Sequence, residues 1–119
     1  MKHWDLQGRS ITPHQPEILS SSGDARAIVI AVPAGESLSD HQVHERAFVT
    51  VLAGEIVMRA EGEEVSAGTG HLFEFDPGER HEVEASSDAR LLLVLTPWPG
   101  DGHPGTMTLE EKATVRERA

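Results

Sequence analysis

Apolar residues occur along this chain in short blocks separated by turn-forming residues. Residues 27–32 (Ala-Ile-Val-Ile-Ala-Val) and 91–95 (Leu-Leu-Leu-Val-Leu) are apolar without interruption. Uninterrupted runs of this length are typical of strands that are covered on both faces. Shorter blocks lie at residues 48–52, 56–58 and 72–75, each beside a glycine or proline turn signal. Many short strands at regular spacing predict an all-β sandwich or barrel.

In residues 81–85 (His-Glu-Val-Glu-Ala), every second side chain is a charged glutamate. Successive side chains of a strand point to opposite faces of the sheet. The pattern therefore predicts a strand with its two glutamates outside and His81, Val83 and Ala85 on the inward face.

Two turns are predicted in the middle of the chain. Ala53-Gly54 separates two apolar blocks and is typical of a tight hairpin. Residues 61–64 (Glu-Gly-Glu-Glu) predict a turn in solvent.

The two ends of the chain differ from this central part. Residues 1–24 are rich in proline and serine, and we expect an arm laid over the barrel with an edge strand at residues 16–19. Residues 97–119 begin with a Pro/Gly linker, and the capping box Thr108-x-x-Glu111 predicts a short C-terminal helix. We predict that residues 25–96 form the barrel.

Composition limits the classes of partner. A chain of 119 residues forms one domain, and 20 acidic against 10 basic residues give a net charge of -10. This charge opposes binding to nucleic acid or to an anionic membrane, so we expect small molecules, metal ions or protein surfaces as partners. The opening residues lack the apolar run of a secretory signal, and no segment has the length to cross a bilayer, so we expect a cytoplasmic protein. Since there is no cysteine, a metal site must use His, Asp or Glu.

Two glycine-anchored segments contain the candidate chemistry. The first runs from Gly35 through His41 and His44 to Gly54, and the second spans Gly70–His81 and includes Asp-Pro-Gly. These segments resemble the two motifs of the cupin superfamily, G-x5-H-x-H-x3–4-E-x6-G and G-x5-P-x-G-x2-H-x3-N. The resemblance covers about residues 25–95. It implies a cupin-type double-stranded β-helix, or jelly-roll barrel, to which the short C-terminal helix is added.

The resemblance also implies a metal. In the family, the histidines of both motifs and the glutamate of the first bind Fe, Mn, Ni, Zn or Cu, and imidazole suits such transition ions. His41 and His81 occupy two of these positions here, whereas Val43 and Ala47 occupy the positions of the second histidine and the glutamate. Neither Val43 nor Ala47 can bind a metal.

Two neighbouring residues are candidate replacements. His44 is one position away from the second histidine of the motif, and it points away from His41 unless the strand bulges between them. Glu45 shares the parity of His41 and is a substitute carboxylate, or it forms an exposed pair with Arg46. We take His41, His44 and His81 as the predicted ligands of a divalent transition metal.

Two functions follow from these patterns. The first is a metal-dependent oxygenase or isomerase that acts on a small polar metabolite in the barrel. The second is a metal-free cupin that binds a small molecule as a sensor or carrier, with His41 and His81 as neutral, hydrogen-bonded side chains. In either case Phe48 and Leu52 lie on the strand face opposite the core and need cover from the N-terminal strand or a second subunit, which predicts a homodimer.

Overall fold

The computed structural model describes residues 1–22, 24–41 and 44–97, with the side chains of residues 39–41 excepted. These residues form nine strands: β1 (Glu17–Ser21), β2 (Arg26–Val32), β3 (Ser37–His41), β4 (Arg46–Ala53), β5 (Ile56–Ala60), β6 (Glu63–Ala67), β7 (Leu72–Phe75), β8 (His81–Ala85) and β9 (Ala89–Thr96). The all-β prediction is confirmed. The predicted C-terminal helix lies outside the described residues. No helix in the described part of the chain has the length and apolar character needed to cross a bilayer.

The strands form two sheets that pack face to face. Sheet A has the order β1-β2-β9-β4-β7 and sheet B the order β3-β8-β5-β6. All pairs of neighbouring strands are antiparallel. Consecutive strands repeatedly change sheet, which is the connectivity of a jelly roll.

The hydrophobic core lies between the two sheets and follows the period-two pattern of the sequence. Strand β4 buries Ala47, Val49 and Val51, whereas the residues between them are half-buried. Strand β8 buries His81, Val83 and Ala85 and leaves its glutamates half-buried, as the alternation predicts. The inward faces of the two sheets are therefore apolar along most of their length, and His81 is a polar exception.

The first part of the chain lies against sheet A. Strand β1 pairs with β2 at the edge of this sheet. Before β1, the Nη1 of Arg90 donates hydrogen bonds to the carbonyl oxygens of Leu6 (2.7 Å) and Gln7 (3.1 Å). The side-chain amide of Gln7 donates to the carbonyl oxygen of Leu52. These bonds fix the N-terminal residues beside the end of β4 and the start of β9.

The turn at Gly54 is not the predicted hairpin. Strands β4 and β5 belong to different sheets, so the chain crosses from sheet A to sheet B at this point. Gly54 has a φ of 80°, and a Cβ there would overlap the carbonyl oxygen of Asp88. Glu55 continues the contact, because its N–H donates to Ser87 Oγ (2.9 Å) and its carbonyl accepts from Ser86 N (2.8 Å). The hairpin prediction is wrong because the β8–β9 turn occupies the space beside Gly54 and both strands pair elsewhere.

A hairpin does connect β5 and β6. Ala60 pairs with Glu63, and the two residues between them have positive φ, 51° for Glu61 and 78° for Gly62. This is the geometry of a type I′ turn, which matches the twist of the flanking strands. The solvent turn is thus shorter than predicted, because Glu63 and Glu64 belong to β6.

Candidate functional site

One end of the barrel, called the mouth below, is where the predicted histidines lie. The ends of β3 and β7 and the starts of β2, β4 and β8 meet there, as the register of the strands requires. His41 is opposite His81 in the β3–β8 pair, and Ala47 is opposite Phe75 in the β4–β7 pair. The rings of Phe75 and His81 contact each other across the two sheets.

His81 is a buried polar side chain of the mouth and is only 3% exposed. Its ring lies parallel to that of Phe75, with 4.0 Å between the ring centroids and 9° between the planes. Its Nδ1 is 3.2 Å from the carbonyl oxygen of Glu79. A carbonyl oxygen only accepts hydrogen bonds, so Nδ1 carries the hydrogen and the lone pair of the neutral ring is on Nε2.

The position of His41 follows from the backbone. The register places it directly across from His81, after an irregularity in the pairing between Leu38 and His41. This irregularity precedes His41, whereas an inward His44 requires a bulge after it. His44 follows the strand and is exposed. The structure therefore brings His41 and His81 to one register position and places His44 at the surface.

Ala47 stands where the first family motif has its glutamate, and it is part of the apolar core. Ala47 is 1% exposed and pairs with Leu95 on one side and Phe75 on the other. Both neighbours are buried. A methyl group thus stands where the motif has a carboxylate.

Glu45 is buried at the mouth, with 3% of its surface exposed. It lies two residues before Ala47, and strand alternation places both on the inward side. The next residue, Arg46, points outward and donates to Glu74 (2.8 Å) and Asp76 (2.6 Å). Its hydrogen bonds to Asp76 and Glu74 raise the pKa of Arg46. The exposed-pair interpretation is therefore wrong for Glu45, because the inward parity of β4 extends one residue beyond the strand.

Arg26 is a polar residue of the mouth that the sequence analysis missed. It is the first residue of β2 and is half-buried. It pairs with Leu95, and its Nε donates to Ser21 Oγ at 3.2 Å. Burial lowers the pKa of the Arg26 guanidinium, and the negative charge of Glu45 opposes this shift. The signal was available, since Arg26 has the same parity as the core residue Ile28.

A metal ion needs several donor atoms close together. Among the described side chains, no three His, Asp or Glu residues lie close enough together to hold one. The side chain of His41 is not among those described. The tautomer of His81 fits a metal, because a ligating histidine normally donates its other ring N–H to a carbonyl or carboxylate. The buried carboxylate of Glu45 adds a second donor at the same end of the barrel.

Comparison with known proteins agrees with this architecture. Residues 28–96 match the cupin domain family, Cupin_2. None of the curated proteins compared with the chain matches it.

Solved structures share the fold at low sequence identity. A conserved protein of unknown function from Streptococcus pyogenes is 24% identical with a TM-score of 0.67, and the alignment covers 80% of this chain and 86% of that one. KdgF from Halomonas sp. is 17% identical with a TM-score of 0.71, with 81% and 94% covered. An RmlC-like cupin with a double-stranded β-helix fold from Methanocaldococcus jannaschii is 15% identical with a TM-score of 0.69, with 82% and 91% covered.

The family match spans more than half of the chain, and its limits enclose strands β3 to β9 and most of β2. The jelly-roll connectivity and the two glycine-to-histidine segments fall within it. This protein therefore belongs to the cupin domain family.

Proposed function

We propose that the mouth of this cupin barrel binds a divalent transition metal, one of Fe, Mn, Ni, Zn or Cu, and a small polar metabolite beside it. His41 and His81 supply the imidazole ligands, and Glu45 supplies the carboxylate that Ala47 lacks. His44, the third ligand expected from the sequence, is exposed, which favours Glu45 in its place.

One observation carries this proposal. His81 is buried in an apolar wall, and its Nδ1 is directed at the carbonyl oxygen of Glu79. This contact fixes both the ring orientation and the tautomer, with the Nε2 lone pair as the ligand atom. The parallel ring of Phe75 covers one face of the imidazole and keeps water from that side.

The ion and the chain contribute different parts of the chemistry at such a site. A bound divalent ion supplies Lewis acidity, which polarises a carbonyl or lowers the pKa of a coordinated water. The chain orients the metabolite within the mouth, and the apolar wall around Ala47 excludes bulk water. A metal-dependent oxygenase or isomerase is the class of enzyme that we propose.

Metal content tests this proposal directly. Untagged protein, purified without chelator, should contain about one equivalent of metal by plasma mass spectrometry, as one mononuclear site requires. The double variant His41→Ala/His81→Ala should contain none, whereas His71→Ala should keep it, because His71 is exposed at the other end of β7. Equal metal in the double variant and the wild type, or none in either after reconstitution, would refute the metal site.

A second function is favoured by Ala47. Its burial in the core wall replaces a family ligand with apolar surface. In this alternative the barrel binds a small molecule without metal, as a sensor or carrier. Ligand-dependent increases in Tm in protein freed of metal are the evidence that would select it.

We also propose that the protein is a homodimer. Leu72, on the edge strand β7, is 58% exposed and pairs with Thr50, so it lies on the outer face of sheet A together with the half-buried Phe48. A second copy would cover this apolar edge. Light scattering at micromolar concentration should give the mass of two chains, and the mass of one chain would exclude the dimer.

A further inference from the structure

Arg26 places a positive charge inside the mouth of a protein whose net charge is -10. We propose that the small molecule bound at the mouth carries a carboxylate group, and that Arg26 recognises this group. The inference rests on the proposed function, because it takes the mouth as the binding site, but it does not require the metal.

The register of sheet A defines the direction of Arg26. Arg26 pairs with Leu95, and Leu95 pairs with Ala47, so the three residues form one row across the sheet. Residues directly opposite each other in antiparallel strands share a face. Leu95 and Ala47 are buried in the core between the sheets. Arg26 therefore stands on the inward face at the end of the barrel, where its half-buried position leaves part of it accessible.

The guanidinium group suits a carboxylate in its shape and in its number of hydrogen-bond donors. It presents five N–H donors in a planar fork, and this fork matches the two oxygens of a carboxylate. Its Nε donates to Ser21 Oγ at 3.2 Å. An arginine serves several acceptors at once, so the nearby charge of Glu45 is compatible with a second anionic partner.

The balance of charge at the mouth does not oppose an anion, and a bound metal would favour one. The charge of Glu45 acts on Arg26 and is opposite to it, so these two residues together contribute no net charge. Histidines bind a metal in their neutral form and then add no charge, so a divalent ion would make the total positive. The carboxylate-rich exterior repels anions in general, so a carboxylate ligand is held by this local site and not by the overall field.

Arg46 provides a matched control. It begins the strand β4 at the same end of sheet A, but it points outward and is paired with Glu74 and Asp76. Arg26→Gln and Arg46→Gln remove the same charge from the same end of the barrel. Only the first removes it from the inward face.

The test uses acids and their uncharged counterparts. Isothermal titration with acetate, pyruvate, succinate and benzoate, each compared with its primary amide, measures the preference for a carboxylate. We expect at least one acid to bind the wild type about tenfold or more tightly than its amide, as a charge-assisted hydrogen bond at a half-buried site provides. The preference should disappear in Arg26→Gln and persist in Arg46→Gln. Arg26→Lys, which keeps the charge but not the fork, should retain part of it and covers the case in which Arg26→Gln does not fold.

Metal analysis of the same samples keeps the two proposals separate. If protein without metal prefers acids to amides and this preference depends on Arg26, the carboxylate site is supported and only the proposed metal site is contradicted. Metal in the wild type, with amides binding as well as acids, overturns the carboxylate site alone. Retention of the preference in Arg26→Gln, its equal loss in Arg46→Gln, or the absence of binding by any acid also overturns it.

Discussion

Phe75 and His81 belong to different sheets, yet their rings lie parallel with 4.0 Å between the centroids. Phe75 ends β7 and His81 begins β8, and the Asp-Pro-Gly turn lies between them. Their contact bridges the two sheets at the mouth. It also limits the rotation of the imidazole whose Nδ1 is directed at Glu79.

The first prediction concerns this stacked pair. Phe75→Leu keeps most of the buried volume, so the free energy of unfolding should fall by about 1.5 kcal/mol or less. Loss of the ring releases the imidazole of His81, and metal affinity should fall by about 10-fold or more, as for other residues that orient a ligand. Urea unfolding and metal titration measure the two effects.

Phe73→Leu is the control for this variant. Phe73 is half-buried on the same strand, and its ring centroid lies 6.3 Å from that of Phe75. It should lower stability by no more than Phe75→Leu does and leave metal affinity unchanged. Equal losses of affinity in the two variants would mean that the Phe75 ring does not orient His81.

A second prediction compares His44 and Glu45 as metal ligands. Glu45→Gln removes a buried carboxylate charge, whereas His44→Gln changes an exposed side chain. Metal affinity should drop in Glu45→Gln and stay at the wild-type value in His44→Gln, measured by competition with a chelating dye. The reverse order would return His44 to the set of ligands.

The third prediction uses two glycines with nearly the same backbone conformation. Gly54 and Gly62 have φ of 80° and 78°, so an alanine at either position incurs the cost of the left-handed region, about 1–2 kcal/mol. A Cβ on Gly62 meets nothing within 4 Å, whereas one on Gly54 overlaps the carbonyl oxygen of Asp88. Gly54→Ala should therefore be the more destabilising by about 2 kcal/mol or more in urea unfolding. Equal costs would show that the β8–β9 turn yields to the added methyl group.

The fourth prediction is a pH dependence at the edge of sheet A. The hydrogen bond from Arg9 lowers the pKa of Glu17. A depressed pKa stabilises the folded state above the ordinary pKa of a glutamate, and this contribution is lost as the pH falls through the lowered value. Both side chains are exposed, so the effect is small and decreases with added salt.

Unfolding measured between about pH 5 and pH 3, on either side of the ordinary glutamate pKa, tests the fourth prediction. Glu17→Gln should lose less stability than the wild type over this range. Glu63→Gln, at an exposed glutamate of β6, is the control and should follow the wild type. Parallel curves for all three proteins would mean that the Arg9–Glu17 pair does not contribute.

The alternation of inward and outward residues predicted more of the structure than any other pattern in the sequence. It predicted the inward face of β8, and with it the burial of His81, because a strand has only two faces and Glu82 and Glu84 identify the outer one. Turn chemistry was less informative at Gly54. A glycine between two apolar blocks is compatible with a hairpin or with a crossing between sheets, and the choice depends on the distant Asp88.

The polar residues of the mouth show a different limit. Strand parity assigns Glu45 and Arg26 to the inward face, but charged residues at or just before the start of a strand are ordinarily exposed to solvent. They become part of the site because the sheets close around the end of the barrel and bring their charges together. Only the long-range pairing of β2, β9 and β4 produces this arrangement.

The central position of β9 in sheet A has a consequence for synthesis of the chain. Strand β9 pairs with β2 on one side and β4 on the other, and these two strands do not pair with each other. A nascent chain that ends before Ala89 thus has β2 and β4 made but no strand to join them. We expect ribosome-bound chains of this length to remain protease-sensitive, and protection to appear only after residues 89–96 have left the exit tunnel. Because these contacts link distant parts of the chain, folding should then be slow compared with that of helical domains of the same size.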